Sequence, residues 1–142
     1  MRISDVMTTN VHTVDALESL AGARKAMQDR GIHHLVVVRD GRVAGLVTSE
    51  LLDWGEAESI ARVEDVMFRH VASGTPDLTV RQAADLLRGR AAGALPIFDG
   101  DRLAGIVTVS DLLDLLGRCD VADAQRSRRR TPRQRRRKAA VS

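Results

Sequence analysis

An α/β (α+β) fold made of two β-α-β-β-α repeats is predicted by three features of this 142-residue chain. The first is duplication. Shifted by 60 residues against itself, the sequence aligns residues 2–48 with 62–108 without a gap, and thirteen of those 47 pairs are identical. Chance pairing gives only several per cent, so a duplication is the better account of the match. The second is a helix-period apolar stretch in each copy, headed by a small hydroxyl residue. The third is a pair of β-branched runs in each copy, separated by an Asp/Gly turn pair, which reads as a hairpin. A single copy of about 50 residues is marginal as a domain, so the two are expected to pack into one body.

The elements follow in order. Asp5-Val6-Met7 and Asp65-Val66-Met67 open the two copies, each followed by a short extended piece at Val11–Val14 or Val71–Ser73. A helix comes next, capped by Ser19 or Thr79. Leu20, Ala23 and Met27 share one face of the first such helix; Val80, Ala83 and Leu87 share one face of the second. Gly31 and Gly93 separate these helices from strands at Leu35–Val38 and Leu95–Phe98. Asp40-Gly41 and Gly100-Asp101 turn the chain into second strands at Val43–Val47 and Leu103–Val107, and a closing helix ends each copy. Repeat 1 is therefore assigned to residues 1–58, with a linker at Gly55–Ala61, and repeat 2 to 59–120. Residues 121–142 form a basic tail, expected to be disordered over Arg126–Ser142 around Pro132.

Leu103–Leu113 holds the chemistry. Ile106 and Val107 make a strand end, and Thr108, Ser110 and Asp111 put three oxygen-bearing side chains at the start of a helix continued by Leu112, Leu113, Leu115 and Leu116. Either Ser110 or Asp111 can cap that helix. Hydroxyls, a carboxylate and free backbone N–H groups gathered at one junction suit a polyhydroxylated, phosphorylated small molecule. In the first copy, Val43–Leu52, the alignment slips by one residue after Thr48: Ser49, Leu51, Leu52 and Asp53 then match Ser110, Leu112, Leu113 and Asp114. On that alignment the first copy lacks one residue at the junction and carries Glu50 in place of Asp111.

Composition limits the function classes. Hydrophobic residues make up 44% and aromatics 2%, so the core is aliphatic. Nine of the 22 basic residues lie in Arg126–Lys138, which leaves thirteen against all 19 acidic ones in residues 1–125, a net of −6. The body is acidic and the tail basic. The tail is either a solvated extension or a non-specific contact for nucleic acid or an acidic partner, and without aromatics it offers no base-stacking platform. Cys119 stands alone, no apolar run is long enough to span a bilayer, and repeat 1 starts almost at residue 1, so a cytoplasmic setting is expected. His12, His33, His34 and His70 have no Cys or carboxylate at ligand spacing, so no metal is expected. No nucleophile–base set or phosphate loop can be assembled, so no catalytic residue and no enzyme activity are expected. Trp54 on the first closing helix is a packing residue or an oligomer contact.

Asp5-Val6-Met7-Thr8 with Val11-His12-Thr13-Val14, and Leu95-Pro96-Ile97 ahead of Gly105-Ile106-Val107-Thr108-Val109-Ser110-Asp111, resemble a tandem pair of CBS (cystathionine β-synthase type) domains over residues 2–117. The resemblance implies two repeats packed as a pseudo-two-fold pair, in a stand-alone regulatory module that often forms a homodimer. It implies an adenosine-containing ligand, such as AMP, ADP, ATP or S-adenosylmethionine, held in the cleft between repeats, and no required cofactor. Carried over by position, it implies that Asp111 accepts the ribose hydroxyls beside Thr108 and Ser110. It further implies that Thr13, Ile32 and His33 surround the base, with Ile106 beneath it. Glu50, and Val36 in place of Pro96, depart from the family pattern in the first copy, so one competent site is expected at most.

Overall fold

The structure, a computed structural model, describes residues 1–127; the basic run beyond Ser127 lies outside the described residues. Repeat 1 runs β1 (Thr13–Asp15), α1 (Leu20–Arg30), β2 (His34–Arg39), β3 (Arg42–Thr48) and α2 (Ser49–Ala57). Repeat 2 runs α3 (Val80–Leu87), β4 (Ala94–Asp99), β5 (Arg102–Thr108) and α4 (Val109–Ser127). Each copy therefore has the predicted helix, hairpin and closing helix. The first strand of the second copy is the exception. Where β1 lies parallel to β2 with Val14 opposite Val37, the same position in repeat 2 is Gly74, which makes only an isolated bridge to Ile97. Glycine gives a strand neither side-chain packing nor conformational restraint, and the strand shrinks to that bridge. The described residues divide into two units, Met1–Val109 and the part of α4 from Ser110 to Ser127. The first holds all five strands and α1 to α3, and the second continues α4.

The helices start where small oxygen-bearing side chains can satisfy the free N–H groups of the first turn. Ser19 Oγ accepts from the Gly22 amide at 3.0 Å, and Gly31 ends α1 in the left-handed region. Thr79 and Gln82 form a reciprocal capping box on α3, at 3.1 and 2.9 Å. Arg24 on α1 reaches Asp53 and Glu56 on α2 at 2.5 and 2.8 Å, tying the two helices of repeat 1 together. α4 runs through Ser127, past the assigned tail boundary at 121, because Ala122, Ala124, Gln125 and Arg126 all favour helix.

Both hairpins break register at the same place. Val37 faces Gly45 but Val38 faces Val43, and Ile97 faces Gly105 but Phe98 faces Leu103, so Ala44 and Ala104 are the bulged residues. The glycine after each bulge has a specific task. The opening segment of each copy crosses to the other copy and pairs with its second strand. Thr8 and Ile106 exchange two backbone hydrogen bonds of 2.9 Å, and Phe68 and Leu46 exchange bonds of 2.8 and 3.0 Å. The same crossing places the Ile3 amide on the Leu78 carbonyl at 2.7 Å and the Val63 amide on the Glu18 carbonyl at 3.0 Å. Val63 and Val66 thereby enter the core formed by Val14, Leu20, Ala23, Met27, Leu35 and Leu52 of repeat 1. Ile3 is fully buried.

A Cβ at Gly45 would fall on the Phe68 carbonyl oxygen, well inside contact distance. At Gly105 it would meet the flexible Met7 Sδ at 2.6 Å and the Thr8 carbonyl at 3.0 Å. Gly45→Ala is therefore expected to cost about 1–3 kcal/mol, as overpacking against a fixed backbone does. Gly105→Ala should cost less, because Met7 can move aside. Urea unfolding midpoints of the two variants check the order.

Candidate functional site

The junction between strand and helix is set by a threonine in each copy. β3 ends at Thr48, whose Oγ1 accepts from the Leu51 amide at 3.2 Å and caps α2. β5 ends at Thr108 and α4 begins at Val109, at the same offset of 60. Ser110 and Asp111 therefore occupy the first turn of α4 instead of the position ahead of it, and neither is the cap residue. The one-residue slip expected after Thr48 is also absent. Leu52 and Leu112, 60 apart, are both buried, whereas Leu113, the partner given by the slipped alignment, is 60% exposed. The two copies start their helices in step, and the Leu-Leu-Asp run had suggested a shift where none exists. Asp111 consequently corresponds to Leu51, half-buried on α2, and Glu50 is an exposed neighbour. The first copy has no carboxylate at this position.

Asp111 is half-buried, which matters because an anion near the first helical turn is favoured by the helix dipole. Ser110 is exposed. Of the remaining predicted residues, Thr13 begins β1 opposite Val36. Ile32 packs against the core of repeat 1, with its amide on the Met27 carbonyl at 3.0 Å. His33 is exposed; its carbonyl accepts from the Ser49 amide at 3.1 Å, and its Nδ1 lies 3.5 Å from Ser49 Oγ. Ile106 is half-buried and held by the Thr8 bridge, and Thr108 lies opposite Ala94.

The structure brings two of these groups together. His34 Nε2 lies 3.1 Å from the Ala92 carbonyl. That bond sets the Ile32-His33-His34 segment of repeat 1 beside the start of β4, the strand that pairs with Ile106 and Thr108. Thr13 lies elsewhere, in a cavity of about 790 Å³ between the two hairpins that none of the other six residues lines. Val38, Val43, Phe98 and Leu103 wall that cavity, and Arg42 and Asp101 stand at its turns. Sequence reasoning missed these residues. The signal was present in the offset of 60, which pairs Val38 with Phe98 and Val43 with Leu103. Among the described residues no cluster could hold a metal ion, and no helix is long and apolar enough to cross a membrane.

Comparison with known proteins agrees with this architecture. The family model described as CBS domain matches residues 3–51 and 63–118. A homoserine O-acetyltransferase of Methanohalobium evestigatum is 32% identical over 120 residues, 80% of this chain but 24% of that protein. The chain thus spans about a quarter of that relative's length. The CBS domain-containing protein YhcV of Bacillus subtilis is 28% identical over 78% of this chain and 81% of its own length. Among solved structures, the CBS domain pair of protein MJ0100, in complex with 5′-methylthioadenosine and S-adenosyl-L-methionine, superposes with a TM-score of 0.77. It is 26% identical and covers 82% of this chain and 96% of its own. A putative acetoin utilization protein (AcuB) from Vibrio cholerae gives 0.76 at 25% identity, covering 89% and 97%.

Thr48→Ala is expected to cost about 1 kcal/mol, the usual loss of a helix cap. Glu50→Ala, at an exposed position without a side-chain partner among the described residues, should stay within about 0.5 kcal/mol. Urea denaturation of both variants tests the assignment of the cap to the threonine.

Proposed function

The chain belongs to the CBS domain family, and from that premise we propose that it is a regulatory module binding an adenosine-containing ligand, of the AMP, ADP, ATP or S-adenosylmethionine class, between its repeats. The observation that carries this reading is the Thr108-Val109-Ser110-Asp111 junction, where a strand end leads into a first helical turn holding a half-buried carboxylate. A fixed carboxylate can accept both ribose hydroxyls, and its charge strengthens each bond. Ile32, His33 and Ile106 are the proposed surroundings of the base, Thr108 and Ser110 supply further hydroxyls, and Thr13, which lines the cavity between the hairpins, is left out of the site. The cross-repeat bond from His34 to Ala92 supports the pairing of Ile32 and His33 with the β5 side of the site. The ligands carried by the MJ0100 pair support the adenosyl class.

The reading assigns no catalytic role to this chain. Binding shifts the balance between arrangements of the module by the difference in affinity for each, and a partner reads the shift. A homodimer, frequent in the family, is the proposed form in which this occurs.

A thermal-shift panel of AMP, ADP, ATP, S-adenosylmethionine and NAD tests the proposal. At a hundredfold excess over Kd, binding adds about 2.7 kcal/mol, or roughly 5–15 °C for a chain of this size. Flat melts across the panel at millimolar ligand refute it. Asp111→Ala should abolish the response, since each charged hydrogen bond to the ribose contributes about 1.5–3 kcal/mol. Glu50→Ala should leave it unchanged. Because Leu51 replaces the carboxylate in repeat 1, calorimetry should give one ligand per chain; two equivalent sites would contradict the asymmetry.

A further inference from the structure

The cavity between the two hairpins has a chemistry of its own. Its walls obey the duplication: Val38 with Phe98 and Val43 with Leu103 are offset by 60, and all four apolar side chains are half-buried. Its rim breaks the duplication. The first turn is Asp40-Gly41, with positive φ at both residues, and the second is Gly100-Asp101, with positive φ at the glycine alone. These patterns suit type I′ and type II′ turns respectively. Inverting the pair puts an aspartate, Asp101, in the cavity lining where the first turn has Gly41.

Arg42 borders the cavity from the other hairpin. Its counterpart Arg102 approaches Asp99 at 3.8 Å, but position 39 of the first hairpin is an arginine, which pairs with Glu64 at 2.9 Å. Arg42 is left with no side-chain partner among the described residues. Asp101 also has none there, and no ion pair joins the two. Thr13 adds a hydroxyl beside the apolar walls. The cavity opens at the turn ends of β3 and β5, whereas Thr108 lies five residues further along β5, roughly 16 Å at the rise of a strand.

One unpaired cation and one unpaired anion at the mouth of an apolar pocket select against most small molecules. A polyphosphate is repelled by Asp101, and a fatty acid or a simple amine pairs with only one of the two exposed charges. A molecule with an apolar body and both charges satisfies every group. We propose that this cavity is a second ligand site, separate from the adenosyl site, for a zwitterion of the amino-acid or short-peptide class. Its carboxylate lies on Arg42, its ammonium on Asp101, and its apolar side chains lie against Val38, Val43, Phe98 and Leu103. A volume near 790 Å³ lies within the usual range for organic ligands and suits a dipeptide better than a single amino acid.

Isothermal titration of the full chain with the dipeptide Leu-Phe tests this, beside the same dipeptide acetylated at its amine and amidated at its carboxyl. The free dipeptide should bind with one site per chain, and the blocked form at least about tenfold more weakly, as loss of a charge-assisted hydrogen bond implies. Arg42→Gln and Asp101→Asn, both at exposed turn positions, should each weaken the free dipeptide about tenfold and leave the blocked form unaffected. Asp111→Ala should leave dipeptide affinity intact. No binding at millimolar dipeptide, equal binding of free and blocked forms, or indifference to both rim substitutions overturns the proposal. Loss of dipeptide binding in Asp111→Ala overturns its separateness from the adenosyl site.

Discussion

The fold depends on one exchange. Neither repeat closes its own sheet or core; each borrows the opening segment of the other, through the Thr8–Ile106 and Phe68–Leu46 backbone pairs. Ile3 and Val63 are fully buried by that crossing, and each such side chain contributes about 1.5–3 kcal/mol. The hydrogen bonds add less net energy, since water would otherwise satisfy the same groups, but they fix the register. Gly45 and Gly105 make room for the crossing segment, and the bulges at Ala44 and Ala104 bend the strands beside it. Two repeat positions identical in both copies, Ala44/Ala104 and Gly45/Gly105, are thus explained by a single geometric requirement.

Consequences for function follow from where the crossing falls. Ile106 is both the residue bridged by Thr8 and a proposed floor for the base, two residues ahead of Thr108. A ligand that displaces β5 even slightly acts on a hydrogen-bonded pair that also anchors the opening of repeat 1. The same holds in mirror image for Leu46 and Phe68, but there the helix that follows carries Leu51 where repeat 2 carries Asp111. The duplication kept the frame in both copies and the carboxylate in one.

Departures from the repeat mark the places where the two copies differ chemically. Gly74 reduces the first strand of repeat 2 to a single bridge, which leaves β1 and its Thr13 without a full counterpart. The inverted turn pair moves an aspartate onto the shared cavity, and Arg39 leaves Arg42 without the acidic neighbour that Arg102 has. Each change is a single substitution or transposition on an unchanged backbone plan.

The sequence by itself determined the elements, because helix and strand starts depend on local chemistry. Ser19 and Thr79 cap helices as read, the Asp/Gly pairs turn the hairpins, and the offset of 60 carries through both copies. Only the tertiary structure decided the register at the critical junction. The Leu-Leu-Asp runs match at an offset of 61, but burial of Leu52 and Leu112 holds the helices at 60, and burial is a property of packing that local identity does not report. Tertiary structure also decided that the Asp-Val-Met segments serve the opposite repeat. Nothing local to residues 2–8 or 62–68 distinguishes pairing within a copy from pairing across copies, because the duplication makes both partners nearly identical. The cavity at the hairpin turns was hidden for the same reason: its walls come from residues 60 apart, and only the folded chain sets them face to face.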